Sequence, residues 1–190
     1  MKHASTKKLC RAGIVAALYV VLTWPLGSLA FGTMGFQIRP AEALTMLPLF
    51  YAESIPALYV GCLLANLITG NVWDIGLGSL CSLVAAALTF PAGKLIKNTP
   101  LKLIVGGIFP VAINALVIPG VLFLGGSAYA GYWFMAASLA ITQAVWVYGL
   151  GVPLYFGIRA LRKKGVSAFC DNRTGQPLQR PDDTATDAKA

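Results

Sequence analysis

The side chains able to do chemistry in this chain begin in one stretch, Phe36-Gln37-Ile38-Arg39-Pro40-Ala41-Glu42-Ala43-Leu44-Thr45-Met46-Leu47-Pro48, where an arginine and a glutamate stand three residues apart among apolar neighbours. A charge set in hydrocarbon costs roughly 2.5 to 3.5 kcal/mol on insertion scales, so such a residue is paired, faces a cavity or serves a ligand. A carboxylate at Glu42 can accept two parallel N–H bonds from an amidine-like or guanine-like edge, or it can pair with a cation. The plainer alternative is mutual satisfaction: Arg39 and Glu42, at i and i+3 of a helix start with Pro40 in its first turn, would fix the helix end.

Further polar residues interrupt apolar stretches downstream: Asn66, Trp73 beside Asp74, Asn114 and Gln143. Each amide offers donor and acceptor, which suits a small, flat, nitrogen-rich ligand. Each is equally able to tie helices together in lipid. Asp74 is placed either to cap a following helix or to meet the ligand. Trp24, Phe36, Trp73, Tyr129 and Trp133 can stack on such a ligand or form an aromatic belt at the membrane interface.

Other chemistry finds little support. The single histidine, His3, lies in a basic leader, and Cys10, Cys62, Cys81 and Cys170 are scattered without a CxxC pair. Neither a metal site, nor a disulfide framework, nor another cofactor is indicated. An intramembrane enzyme lacks a histidine in the apolar body and paired catalytic carboxylates on one segment. No GxxxxGK(S/T) loop is present, so an ATP-driven process would need its engine in another subunit.

The medium follows from composition. Of 190 residues, 57% are hydrophobic and only 12% charged, with a mean hydropathy of +0.70. A soluble domain carries about 25% charged residues, so this chain is an integral membrane protein in the lipid bilayer. The net charge of +8 lies at the ends and in one loop. It therefore marks topology and not nucleic-acid binding.

The elements that must position the polar residues are six membrane segments, at residues 9–29, 41–52, 55–69, 75–95, 101–124 and 132–158. The second and third are short and interrupted by Pro48, Pro56 and Glu53-Ser54, a pattern that in transporters points to the binding region. Basic residues before the first segment (Lys2, Lys7, Lys8, Arg11), between the fourth and fifth (Lys94, Lys97, Lys102) and after the sixth (Arg159, Arg162, Lys163, Lys164) fall on one face. That face is cytoplasmic, with both termini. The opposite loops, at residues 27–35, 70–74 and 125–131, carry no lysine or arginine. This topology gathers Arg39, Glu42, Asn66, Asn71, Asp74, Asn114 and Gln143 into an outward-facing polar pocket. A cleavable signal peptide ending at Ser28-Leu29-Ala30 is the competing reading of the first segment. Residues 1–164 form the expected all-α membrane domain, and 165–190 a polar, disordered tail.

Ala12 and Ala16, with the offset pair Gly13 and Ala17, give small-xxx-small spacing on the first segment, suited to internal packing or to a partner helix.

The run Arg39-Pro40-Ala41-Glu42-Ala43-Leu44-Thr45-Met46-Leu47-Pro48, then Gly61-Cys62-Leu63-Leu64-Ala65-Asn66-Leu67, Asp74, Gly78-Ser79-Leu80 and Ala85-Ala86, resembles the QueT family. The resemblance runs from about Arg11 through the sixth segment. It implies a substrate-binding S component of an energy-coupling factor (ECF) transporter in the bacterial plasma membrane. The partners it implies are a transmembrane coupling subunit, contacted through Ala12 and Ala16, and two cytoplasmic ATPases. The implied substrate is a queuosine precursor, a 7-deazaguanine such as the aminomethyl base, its nitrile precursor or queuine. The alternative is an S component or stand-alone carrier for another vitamin-like solute.

Overall fold

The computed structural model describes residues 2–26, 38–70, 72–126, 128, 130–166 and 169. Phe36, Gln37, Asn71, Tyr129, Cys170, the Ser28-Leu29-Ala30 triplet and nearly all of the expected tail lie outside them.

Among the described residues every regular element is helical: α1 (Lys2–Thr23) with a short 3₁₀ turn after it (Trp24–Leu26), a 3₁₀ helix (Pro40–Leu49), α2 (Ser54–Thr69), a π-helical turn (Asp74–Gly78) leading into α3 (Ser79–Leu95), α4 (Thr99–Leu124), α5 (Tyr132–Gly149) and α6 (Gly151–Lys163). Three helices are long and apolar enough to cross a membrane, Asp74–Leu95, Thr99–Leu124 and Tyr132–Lys163, and Ser54–Ile68 is a shorter apolar helix. The helix that carries the first expected segment starts earlier than the apolar run. It begins at Lys2, drawing Lys7, Lys8 and Arg11 into α1, and those charges keep it out of the purely apolar class.

The second expected segment is an unusual object. Residues Pro40 to Leu49 wind as a ten-residue 3₁₀ helix with all ten side chains buried. Such helices seldom exceed three or four residues, because their hydrogen bonds are poorly aligned. Proline limits the alternatives at both ends: Pro40 opens the element and Pro48 would clash with the Leu44 carbonyl of an α-helix. At about 2.0 Å per residue, against 1.5 Å for an α-helix, ten residues span about 20 Å. All six α-helices pack on this element, so tertiary burial sustains what local hydrogen bonding would not.

Close approach depends on small residues. A Cβ on Gly93 of α3 would overlap the Leu49 carbonyl and lie 2.7 Å from Leu49 Cα, and one on Gly61 of α2 would lie 2.8 Å from Tyr19 Cβ and 3.0 Å from the Ala16 carbonyl. Two apolar clusters fill the space around the 3₁₀ helix, one containing Tyr19, Leu44, Leu47 and Leu58 and one containing Met46, Leu49, Leu103 and Val147.

The expected sixth segment is also modified. Leu150 separates α5 from α6, although its N–H still donates to the Trp146 carbonyl at 3.2 Å. Gly149, Gly151 and Pro153 surround the break, and proline and glycine are the usual causes of such kinks.

Candidate functional site

The 3₁₀ winding decides the geometry of the site. At three residues per turn, positions i and i+3 eclipse, so Arg39, Glu42 and Thr45 form one ridge. The Glu42 N–H donates to the Arg39 carbonyl at 3.1 Å, and Thr45 Oγ1 donates to the Glu42 carbonyl at 2.6 Å. Arg39 itself stands at the helix entrance in a conformation that is neither helical nor fully extended, with φ −126° and ψ 70°.

Glu42 is 1% exposed. Its Oε1 accepts from the Tyr19 hydroxyl at 3.2 Å and its Oε2 from Asn114 Nδ2 at 3.3 Å. The carboxylate is thereby strung between α1 and α4. A carboxylate has about four lone-pair sites, so these two bonds leave it able to accept more. Asp74 and Glu42 both act electrostatically on the Arg39 guanidinium. Two acids therefore lie within electrostatic range of one base in the helical body.

Asp74 is fully buried. It lies in the first turn of the π-helical segment, and that helix start has no side-chain cap hydrogen bond. Asn66 Nδ2 donates to the Asp74 carbonyl at 2.7 Å and lies 3.4 Å from Ser79 Oγ, which stitches α2 to the π-turn. A Cβ on Gly78 would meet Asp74 Oδ1 at 3.0 Å and Asn66 Nδ2 at 3.4 Å; glycine lets the aspartate and the amide close over this turn. π-Turns of this kind are frequent at functional sites.

Gln143 on α5 is 2% exposed, and its Oε1 receives no hydrogen bond among the described residues. Burying an amide carbonyl without a donor costs about 1–3 kcal/mol. Trp73 is 45% exposed, and Trp24 and Trp133 are more so, an arrangement that favours the lipid interface for these rings. Ala12 and Ala16 are half-buried on α1, and the backbone of Ala16 sits against Gly61. Gly13 and Ala17 on the same helix are exposed.

Three participants escaped the sequence reading. Tyr19 lies in an apolar run of the sequence, yet its phenol donates to Glu42; a phenol deep in an apolar helix needs a partner, and that is the available signal. Thr45 eclipses Glu42 only because the winding is 3₁₀. Cys62, one of four scattered cysteines in the sequence, stands 3.5 Å from Asn66 Nδ2 and accepts from Ser82 Oγ at 3.3 Å. Among the described residues no group of three or more His, Cys, Asp and Glu is placed to hold a metal.

Comparison with known proteins adds to this geometry. The family model described as QueT transporter matches residues 9–160. The chain is 34% identical over 88 residues to the Queuosine precursor transporter QueT of Lactococcus lactis subsp. cremoris, across 46% of this chain and 52% of that protein. The match thus spans about half the length of the curated relative. No solved structure matches the chain.

Proposed function

Because the chain belongs to the QueT transporter family, we propose that it is the substrate-binding subunit of an ECF-type importer and captures a 7-deazaguanine precursor of queuosine from outside the cell. The observation that carries this reading is the buried Glu42 carboxylate, held on one oxygen by Tyr19 and on the other by Asn114. Positioned by two donors and still able to accept, it suits the paired N–H groups of a guanine-like edge. Gln143 Oε1 supplies a second acceptor whose burial cost a ligand N–H would relieve.

Charge narrows the choice among precursors. Glu42 and Asp74 set two buried carboxylates against the one Arg39 guanidinium, and the carboxylate left over is neutralised either by a proton or by a cationic ligand. The aminomethyl base, with its ammonium, supplies that cation; the neutral nitrile does not. Arg39 holds the two carboxylates apart and oriented in this scheme. Asn66 acts through Asp74 by fixing the π-turn.

Six segments crossing a bacterial plasma membrane, with both termini inside, agree with the distribution of basic residues. With no nucleotide-binding loop in the chain, the energy comes from a coupling membrane subunit and two cytoplasmic ATPases. The α1 face bearing Ala12, Gly13, Ala16 and Ala17 is where the coupling subunit docks.

The test is equilibrium binding of the aminomethyl base, the nitrile base, queuine and a panel of vitamins to the purified protein. The aminomethyl base should bind tightest, and Glu42→Gln should weaken it at least about tenfold, a change of about 1.4 kcal/mol, while leaving the protein folded. Tighter binding of an unrelated vitamin, or unchanged affinity in Glu42→Gln, would overturn the assignment.

A further inference from the structure

The last turns of α6 carry Arg159, Arg162 and Lys163. Arg162 is engaged in packing, its guanidinium 5.4 Å from the ring centres of both Phe50 and Tyr51. Arg159 and Lys163, one turn apart, serve a different surface. With Phe156 and Ala160 they line an open hollow of about 310 Å³. Arg159 Nη1 also reaches Thr99 Oγ1 at 3.5 Å, across to the start of α4, and Lys102 on that helix lies within electrostatic range of Arg159. Three cations therefore converge at the ends of two helices, and no carboxylate lines the hollow.

The apolar side of the same hollow is exposed as well, with Phe156 48% accessible. A basic group beside an exposed aromatic ring, at the end of membrane helices, combines the two requirements of a phospholipid site: a phosphate receptor and a wall for an acyl chain. The surrounding lysines and arginines place this end at the cytoplasmic leaflet, where anionic lipids concentrate and where basic pockets between helices bind headgroups. Arginine adds bidentate geometry suited to phosphate oxygens.

We propose that this hollow is a binding site for an anionic phospholipid. The headgroup phosphate lies between Arg159 and Lys163, Lys102 adds its charge, and an acyl chain runs along Phe156 and Ala160. A bound lipid would fasten α6 to α4 at the level of the headgroups.

The experiment compares thermal unfolding of the full-length protein in nanodiscs of phosphatidylcholine alone and of phosphatidylcholine with phosphatidylglycerol. Phosphatidylglycerol should raise Tm by about 4 °C. The Arg159→Gln/Lys163→Gln variant should lose most of that rise, while Lys7→Gln/Lys8→Gln, with the same loss of charge elsewhere on the same face, should keep it. Native mass spectrometry gives a second readout should the first variant be unstable: it should retain one phosphatidylglycerol fewer than the unsubstituted protein. No rise, an equal loss in both variants, or an equal rise with inorganic phosphate in place of the lipid would each overturn the proposal.

Discussion

Tyr19 of α1 donates its phenolic hydrogen to Glu42 Oε1 at 3.2 Å, joining two residues 23 positions apart in sequence. The bond places a buried carboxylate at the junction of the first helix and the central 3₁₀ element. Because Asn114 binds the other oxygen, any movement of α1 or α4 moves the acceptor that is proposed to meet the ligand.

Tyr19→Phe removes that donor and leaves Oε1 buried without it. The expected cost is about 1–3 kcal/mol, a fall in Tm of about 2–12 °C. A double-mutant cycle with Asn114→Ala should give a coupling energy above about 0.5 kcal/mol, since both donors share one carboxylate. Thermal unfolding of the four proteins in detergent measures it, and simple additivity would contradict the shared network.

Gly93→Ala tests the approach of α3 to the 3₁₀ helix. The new methyl would overlap the Leu49 backbone, which cannot rotate away as a side chain can. A loss of about 3 kcal/mol or failure to accumulate is expected. Gly120→Ala is the matched control: nothing lies within 4 Å of its Cβ position, so helix propensity alone should leave it unchanged or more stable by up to about 1 kcal/mol.

Arg11 and Glu53 form an ion pair at 2.5 Å with both side chains 13% exposed, and the Arg11 guanidinium lies 4.4 Å from the Tyr51 ring centre. Glu53→Gln should cost about 1–3 kcal/mol, between the values for surface and buried pairs. Arg11→Gln should cost more, because it also removes the cation over the ring. Equal Tm values for the two variants would argue against the ring contact.

Cys10 is exposed, and Cys62 and Cys81 are buried. In a Cys170→Ser background, a membrane-impermeant maleimide should therefore label Cys10 alone. Labelling should occur in inside-out vesicles and not in intact cells; the reverse pattern would invert the proposed topology.

Much of the candidate site is legible in the sequence because charge and amide groups are conspicuous among apolar residues. Glu42, Asp74, Asn66, Asn114 and Gln143 are all buried, as polar groups singled out on grounds of burial cost should be. Tyr19 and Cys62 were not conspicuous, since both residue types sit comfortably in apolar helices. Arg39 and Glu42 share one ridge of the 3₁₀ element, but the hydrogen-bond partners of the carboxylate are 23 and 72 residues away. Spacing within one helix cannot supply such contacts.

By itself the sequence determined the medium, the helical class and the polar residues that hydrocarbon would penalise, because each of these depends on composition and local pattern. Only the tertiary structure decided how the decisive segment winds and whom it meets. Pro40 and Pro48 restrict Pro40–Leu49 but do not specify a 3₁₀ helix. Weak local hydrogen bonds leave the choice of winding to the six helices packed around it, and that choice sets the ridge on which Arg39, Glu42 and Thr45 align.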